Sequence, residues 1–162
     1  MNVKIRKLVE NDAFTSYVWR NDKEVFMWTG NTYKNEISLE TEIDWIKKVI
    51  ANRNEYRCAI IVDEQYVGNI YLTNITDTVA TYHIFIGDKN YWGKGVAYKA
   101  SQLILDYAFN HLFLKIVELR VRKENTRAIT LYNKLGFTKV DETNEFILMK
   151  ITYEQFKNIS GN

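Results

Sequence analysis

The chain has 162 residues and a formal net charge of +2; 46% of the residues are hydrophobic and 26% are charged. This length suits one folded domain over residues 1–162, and so small a charge gives no reason to expect nucleic acid or an acidic membrane as a partner. The single cysteine excludes an intrachain disulfide, no apolar run reaches the ~20 residues of a membrane span, and no stretch resembles a signal peptide, so we expect a cytoplasmic protein.

The first third of the chain predicts one strand and two helices. Alternating apolar and polar residues predict a strand over Asn2–Val9, and "NDAFTSYVWR" predicts a short helix capped by Asn11 or Asp12. A second helix follows in "ISLETEIDWIKKVIANR", with Ser38 as its N-cap. Its apolar stripe consists of Leu39, Ile43, Ile46 and Ile50.

The centre of the chain predicts an antiparallel meander of three strands. Tyr56–Val62 and Tyr66–Ile75 flank the turn "DEQ", and Thr78–Gly87 follows a polar break. Cys58 stands in the middle of the first of these strands, where we interpret it as a small buried hydrophobic residue rather than a nucleophile.

The rest of the chain predicts two helices and three strands. A strand over Lys115–Val121 separates the two helices, and the second helix ends at Gly136 before a closing hairpin, "FTKV" and "EFILMKIT". The whole order predicts an α/β fold in which a mixed, mostly antiparallel central sheet of about seven strands is flanked by about four helices. The helix that precedes Lys115–Val121 carries these apolar residues at helical spacing: Val96, Ala97, Ala100, Leu103, Ile104, Tyr107 and Ala108.

The stretch Gly93-Lys94-Gly95 joins the last strand of the meander to a helix. Glycines let the backbone adopt positive φ, and the first N–H groups of a helix bind anions well, so the loop predicts a phosphate site. A tight helix-entry turn without a ligand is the alternative. The loop is not a dinucleotide fingerprint, whose third glycine would fall at Tyr98, nor a P-loop.

Three motifs give the loop a family context. "NYWGKGVA" resembles motif A, [QR]-x-x-G-x-[GA], of the GNAT superfamily of acyl-CoA-dependent N-acetyltransferases, and Glu124–Phe137, "ENTRAITLYNKLGF", resembles that superfamily's second signature. "WRNDKEVFMW" is similar to the branch that includes ribosomal-protein N-terminal, spermidine and nucleotide-amino-sugar acetyltransferases. The resemblance covers essentially the whole chain and implies a GNAT-like fold with acetyl-CoA as the donor.

The resemblance also implies which residues hold the donor. Asn125 resembles the residue that hydrogen-bonds the pantetheine arm, although capping of the following helix is an alternative role. Lys134 resembles a residue that reaches a phosphate, although a solvated surface lysine is the alternative. Pantetheine is implied to lie along Phe85, Ile86 and Gly87, and pyrophosphate on the amides of Tyr91, Trp92, Gly93, Lys94, Gly95 and Val96.

Tyr132 resembles the family's general acid, which protonates the departing thiolate after direct attack of the amine on the thioester. A core tyrosine with a hydrogen-bonded hydroxyl is the alternative. A backbone N–H among Ile84 to Ile86 is expected to face the oxyanion. The family's Q/R is Asn90 here, a mild departure because backbone amides carry most of the phosphate contact.

A second departure concerns the proton of the amine. The branch usually has a glutamate on the strand before the loop, where this chain has Thr81 or Tyr82. His83 could act as the base or could be structural, and it faces the opposite side of the sheet from Tyr82. At pH 7 an amine of pKa ~10.4 is only about one part in 2,500 neutral, and one of pKa ~8 about one part in ten. We therefore expect an acceptor amine of low pKa whose proton leaves through water.

The acceptor pocket of this branch is built by the first two helices and their loop. Arg20 could meet a phosphate or carboxylate, and Asp22 and Glu24 could hold an ammonium, with an exposed solvated loop as the alternative for each charge. The implied set is Trp19, Arg20, Asn21, Asp22, Phe26, Trp28 and Tyr33, together with Tyr82 on the strand.

The short hairpin "TKVDETNEF" leaves one side of the acceptor site open, which suits an amine on a bulky carrier. A nucleotide-linked amino sugar is the first candidate, a ribosomal or other protein N-terminus the second, and a polyamine or aminoglycoside the third. A weakly active acyl-CoA-binding module is the candidate from another class. No cluster of His, Cys and carboxylates has metal-ligand spacing, so we expect no metal; a homodimer is compatible with the family, without a distinct signal in this sequence.

Overall fold

The computed structural model describes residues 1–27 and 35–160 and contains one seven-stranded sheet. The strands lie in the order β1-β2-β3-β4-β5-β7-β6, and every neighbouring pair is antiparallel except β4 and β5. The predicted mixed, mostly antiparallel sheet is thereby confirmed. The strands are β1 (Val3–Lys7), β2 (Tyr56–Val62), β3 (Gln65–Thr73), β4 (Val79–Ile86), β5 (Ile116–Arg122), β6 (Thr138–Glu142) and β7 (Phe146–Thr152).

The described residues form six α-helices, two more than the sequence predicted. One added helix is a single turn after α1, opened by the Asp22 side chain, which accepts a hydrogen bond from the Glu24 N–H. The other continues directly from β7 and buries Phe156 against Phe109. The helices are α1 (Ala13–Arg20), α2 (Lys23–Phe26), α3 (Leu39–Ile50), α4 (Val96–Asn110), α5 (Thr126–Leu135) and α6 (Tyr153–Ser160). None of them is long and apolar enough to cross a membrane.

The main core fills the space between one face of the sheet and helices α4, α5 and α6. Alternate residues of every strand except the exposed β6 point into it, as the period of two requires. Cys58 is among them and is fully buried, and burial raises the pKa of its thiol to about 11, so it is a poor nucleophile. Other members are Ile60, Ile70, Leu72, Val117, Leu119, Met149 and Ile151 from the strands and Ala100, Ile104 and Leu135 from the helices.

The opposite face of the sheet is only partly covered. Helices α1 and α3 pack over its β1–β3 half, where Ala13, Ile46 and Ala59 are fully buried. Cross-strand partners share a face, and the register carries this face from β2 through β3 and β4 to β5 and β7. On β5 and β7 its side chains stay partly or wholly exposed: Ile116, Glu118, Arg120, Arg122, Phe146, Leu148 and Lys150.

β4 and β5 separate after only three residue pairs. They pair in parallel only where Val79–Thr81 faces Ile116–Glu118. Beyond that point β4 continues to Ile86 with β3 as its neighbour, and β5 continues to Arg122 with β7 as its neighbour. The sheet therefore opens into a wedge-shaped gap between the second halves of β4 and β5, which we call the β4–β5 gap.

Candidate active site

One edge of β4 offers backbone groups to the β4–β5 gap. The Gly87 N–H donates to the carbonyl of Val67 on β3 at 2.9 Å. In an antiparallel ladder the residues alternate between pointing toward the partner strand and away from it. The amide of Phe85 therefore belongs to the β3 ladder, whereas the amides of Ile84 and Ile86 point into the gap. The structure narrows the candidates for the oxyanion donor to these two.

The glycine loop lies at the far end of β4 and opens α4. Gly93 and Gly95 have φ of 72° and 80°, and a Cβ built on either would meet no atom within 4 Å. Glycine is thus required by the left-handed backbone rather than by crowding, and the space beside the loop is open. The indole Nε1 of Trp92 donates to the carbonyl of Ile86 at 2.8 Å and anchors the loop to the strand.

The start of α4 fits the phosphates of the implied donor. Val96 begins this 15-residue helix, whose first N–H groups lack intrahelical partners and carry partial positive charge. Two lysines stand beside it: Lys94 lies over the Tyr91 ring at 5.8 Å, and Lys134 of α5 lies over the Tyr98 ring at 4.6 Å. The structure therefore places Lys134 beside the first turn of α4, and its contact with a phosphate stays a prediction.

Asn125 stands on the other side of the gap, after the end of β5. Its Oδ1 accepts a hydrogen bond from the Ala128 N–H at 3.2 Å, so it caps α5. Its side-chain nitrogen donates no hydrogen bond to any described residue. The capping role is confirmed, and a contact with pantetheine stays a prediction.

Tyr132 projects from α5 into the core beside the gap. Its ring is 8% exposed and packs edge-on against Tyr82 at 5.7 Å and against Phe137 at 5.9 Å. The Tyr132 hydroxyl forms no hydrogen bond with any described residue. The hydroxyl oxygen is also not completely buried by the described residues. Burial raises the pKa of this phenol, so the hydroxyl is a protonated, unengaged donor at neutral pH.

Tyr82 lies on the same face as Tyr132, away from α1. It is 2% exposed, and its hydroxyl hydrogen-bonds Ser101 Oγ, which donates to the Ala97 carbonyl at 2.6 Å. Burial raises the pKa of Tyr82 as well. The structure therefore separates Tyr82 from the rest of the predicted acceptor set and makes it a packing partner of the Tyr132 ring.

His83 faces the opposite side of the sheet. Its ring stacks on Tyr71 at 4.8 Å, and its Nε2 lies 2.9 Å from Thr73 Oγ1. Burial, with the charges of Arg57 and Arg120, lowers the pKa of His83 to about 4. A neutral imidazole with so low a pKa is a weak base, which argues against the general-base role that the sequence left open.

Trp19 closes the corner between α1 and the end of β4. Its ring contacts Tyr66 at 4.7 Å and Phe85 at 6.1 Å. It also lies directly on Gly87, where an added Cβ would stand 1.9 Å from a ring atom. Gly87 is therefore needed for close packing, and Trp19, only 8% exposed, fixes the height at which α1 sits over the strand.

The polar residues of the predicted acceptor set form hydrogen bonds and ion pairs with neighbouring residues. Asn21 Nδ2 donates to the Ile37 carbonyl at 2.9 Å, and Asn21 Oδ1 accepts from the Ile37 N–H at 2.7 Å. Lys89, just before the glycine loop, pairs with Asp22 at 2.8 Å and Glu24 at 3.1 Å, and this contact lowers the pKa of Asp22. Phe26 is partly buried. Trp28 and Tyr33 lie outside the described residues.

Arg20 lies near a buried carboxylate that the sequence did not single out. Glu42 is 1% exposed, accepts a hydrogen bond from Ser16 Oγ at 2.6 Å, and lies 3.5 Å from Arg20 Nη1. The Arg20 guanidinium also lies over the Trp45 ring at 4.7 Å. The sequence did contain a signal for the burial of Glu42, because this residue stands four positions before Ile46 and therefore lies on the same, buried side of α3.

Comparison with known proteins gives the fold and the motifs a family. Residues 2–138 match the model of the acetyltransferase (GNAT) domain. The chain is 33% identical over 140 residues to the spermidine N(1)-acetyltransferase of Escherichia coli (strain K12), covering 85% of this chain and 73% of that protein.

Two solved structures share the fold. The spermidine N-acetyltransferase from Vibrio cholerae, in complex with CoA and spermine, has a TM-score of 0.85 at 22% identity over 95% of this chain and 97% of that one. The N-acetyltransferase PseH of Campylobacter jejuni, in complex with acetyl coenzyme A, has a TM-score of 0.73 at 22% identity over 94% of this chain and 99% of that one.

The contact between Trp19 and Gly87 makes a testable prediction about stability. Gly87→Ala should lower the free energy of unfolding by about 2–3 kcal/mol, because the methyl group overpacks the indole ring. In a Trp19→Ala background the same substitution should cost almost nothing, since the ring is gone. Denaturant unfolding of the four proteins measures both values.

Gly93→Ala is the matched control. It should cost about 1–2 kcal/mol in either background, because its penalty comes from positive φ and not from a neighbour. An equal cost of Gly87→Ala with and without the Trp19 ring would contradict the packing described here.

Proposed function

We propose that this chain, which belongs to the acetyltransferase (GNAT) family, acetylates a primary amine of low pKa on an anionic carrier. The first candidate for this acceptor is a nucleotide-linked amino sugar. As a member of that family the chain is an N-acetyltransferase with acetyl-CoA as its donor. The β4–β5 gap, where the strand amides of Ile84 and Ile86 lack a partner strand, supports the donor site, and the observation that carries the choice of acceptor is that β4 offers no carboxylate beside this gap.

The free edge of β4 suits the pantetheine arm. An extended ligand in the gap can accept from the amides of Ile84 and Ile86 and donate to the carbonyl of Ile84, as an added strand would, while the Ile86 carbonyl already accepts from Trp92. Continuing along β4 it reaches the glycine loop, where Gly93, Gly95 and the first turn of α4 offer N–H groups to the pyrophosphate. Lys134 adds a positive charge at that point.

Acetyl-CoA supplies an acetyl thioester, and the chain supplies the groups around it. The amide of Ile84 or Ile86 stabilises the oxyanion that forms when the neutral amine attacks the carbonyl carbon. A C–N bond forms and the C–S bond breaks. Tyr132 donates its phenolic proton to the departing sulfur and regains one from solvent, while the proton of the amine leaves to water.

The proton of the amine has no carboxylate to receive it on β4. Thr81 and His83 are the polar side chains of β4 on the open face, and the lowered pKa of His83 makes it a poor acceptor. An amine that is already neutral in a useful fraction of molecules at pH 7 needs no strong base. This supports an amino sugar or an α-amine over an alkylammonium.

The charges around the site support an anionic carrier. Asp22 and Glu24, the acids that the sequence offered for an ammonium group, are both paired with Lys89. Of the two arginines whose charges act on His83, Arg57 pairs with Glu55, which leaves Arg120 as the cation without an acidic partner among the described residues. A polyamine would bring its ammonium groups toward this guanidinium group at a Coulombic cost.

A polyamine is the second candidate acceptor. It is favoured by the 33% identity with the spermidine N(1)-acetyltransferase of Escherichia coli. The two candidates differ in charge, so one set of rate measurements separates them.

An acceptor panel tests the proposal. We expect thiol release from acetyl-CoA to be at least about tenfold faster, in kcat/KM, with a UDP-linked amino sugar than with spermidine, because charge complementarity is worth of the order of 1–2 kcal/mol. The rate should rise with pH through the pKa of the acceptor amine itself. Fast turnover of spermidine without turnover of the amino sugar would make the polyamine the acceptor in place of the amino sugar. Background rates with every amine would favour a CoA-binding module over an enzyme.

Tyr132→Phe tests the general acid. We expect kcat to fall about 10²- to 10⁴-fold with little change in CoA affinity. The free energy of unfolding should change little, because the lost hydroxyl makes no hydrogen bond with a described residue. Tyr153→Phe is the matched control: its hydroxyl donates to Asn110 away from the gap, and kcat should stay the same. A kcat within threefold of wild type for Tyr132→Phe would remove Tyr132 from the mechanism.

A further inference from the structure

The register of β4 and β5 places two particular residues on opposite sides of the gap. Thr81 and Glu118 are the last paired residues of the two strands. Two positions further on, the same face carries His83 on β4 and Arg120 on β5. They are the first residues of that face beyond the point where the strands separate, so an amine that approaches from the open face passes between them.

Arg120 is held with its guanidinium over an aromatic ring. Its Cζ lies 4.2 Å from the centroid of Phe146 on β7, and the residue is exposed. Stacking on a ring leaves the N–H groups at the edge of the guanidinium plane available for hydrogen bonds. Arg122 shares the same ring at 4.9 Å, on the side of β5 further from the paired region.

The neighbouring charges on this face have partners, and Arg120 has none in the described part of the chain. Arg122 pairs with Glu145 at 3.9 Å, and Lys150 pairs with Glu118 at 3.7 Å. On the β4 side of the gap, Arg57 lies over Tyr71 at 4.0 Å and is neutralised by Glu55. Within residues 1–27 and 35–160, Arg120 forms neither an ion pair nor a side-chain hydrogen bond.

We propose that Arg120, stacked on Phe146 across the gap from His83, binds a phosphate group of the acceptor and thereby selects an anionic amine. This inference rests on the proposed function and adds the residue that recognises the carrier. A guanidinium suits phosphate better than an ammonium does, because its planar fork donates two parallel hydrogen bonds. The open face beside β5 and β7 leaves room for the nucleotide part of the acceptor.

Binding of UDP to the CoA-saturated protein, measured by calorimetry, tests the inference without requiring turnover. Saturation with CoA fills the glycine-loop site, so a nucleoside diphosphate must bind elsewhere. We expect UDP to bind the wild-type complex and to bind Arg120→Gln about 10- to 100-fold more weakly, as loss of a charge-assisted pair predicts. Arg120→Lys should bind with intermediate affinity, since it keeps the charge and loses the fork.

Arg122→Gln is the control, because Arg122 stacks on the same Phe146 ring but already pairs with Glu145. The affinity of the Arg122→Gln variant for UDP should stay within about twofold of that of the wild type. Absence of UDP binding to the wild-type complex, or equal binding to Arg120→Gln, would overturn the inference. A loss of CoA affinity in Arg120→Gln would also overturn it, since the arginine would then serve the donor phosphates.

The two proposals fail in different ways. Acetyl transfer to a UDP-linked amino sugar at the same rate in wild type and Arg120→Gln would keep the proposed acceptor and refute the role of Arg120, whereas transfer to uncharged or cationic amines alone would refute both. UDP binding that depends on Arg120, without acetyl transfer to any amine in the panel, would keep the phosphate site and refute the proposed reaction.

Discussion

The separation of β4 from β5 after three residue pairs is the feature on which the rest of the structure depends. A strand edge inside a sheet normally finds a partner, because unpaired backbone groups are costly when water is excluded. Here the edge of β4 beyond Thr81 is left without a strand on its β5 side, while β5 keeps β7 as its neighbour along its other edge. The glycine loop follows β4, Asn125 follows β5, and Tyr132 packs on Tyr82 of β4, which is why we propose that the donor occupies this opening.

The two faces of the sheet have different tasks in the proposed reaction. The face covered by α4 and α5 carries Tyr132, supported by the buried rings of Tyr82 and Phe137. The other face carries His83 and Arg120 and is left open over β5 and β7. Because side chains alternate along a strand, Tyr82 and His83 serve opposite faces although they are neighbours in the chain. In the proposed reaction, the leaving thiolate and the arriving amine therefore meet different environments.

Much of the fold could be predicted from the sequence, because it rests on local patterns. Strand alternation, helix caps such as Ser38 and the glycine loop are encoded within a few residues. The helix α6 was missed although its start carries a capping box, in which the Gln155 N–H donates to Thr152 Oγ1 and the Thr152 N–H donates to Gln155 Oε1. The strand pattern of β7 runs directly into this box and hides it, and the helix also packs through Phe156 on the distant Phe109. The family signatures located Tyr132, Asn125 and Lys134, whereas the settings of His83 and Arg120 depend on a register between strands that no local pattern fixes.

The central claim is that the donor completes the free edge of β4 inside the gap. Residue-resolved amide hydrogen exchange, without and with CoA, measures this directly. In the free protein the amides of His83 and Phe85 should exchange slowly because β3 pairs with them, and those of Ile84 and Ile86 should exchange faster. CoA should slow exchange at Ile84 and Ile86 and leave Phe85 unchanged. If CoA binds and the exchange of Ile84 and Ile86 stays as it was, the donor does not lie along β4 and the account is wrong.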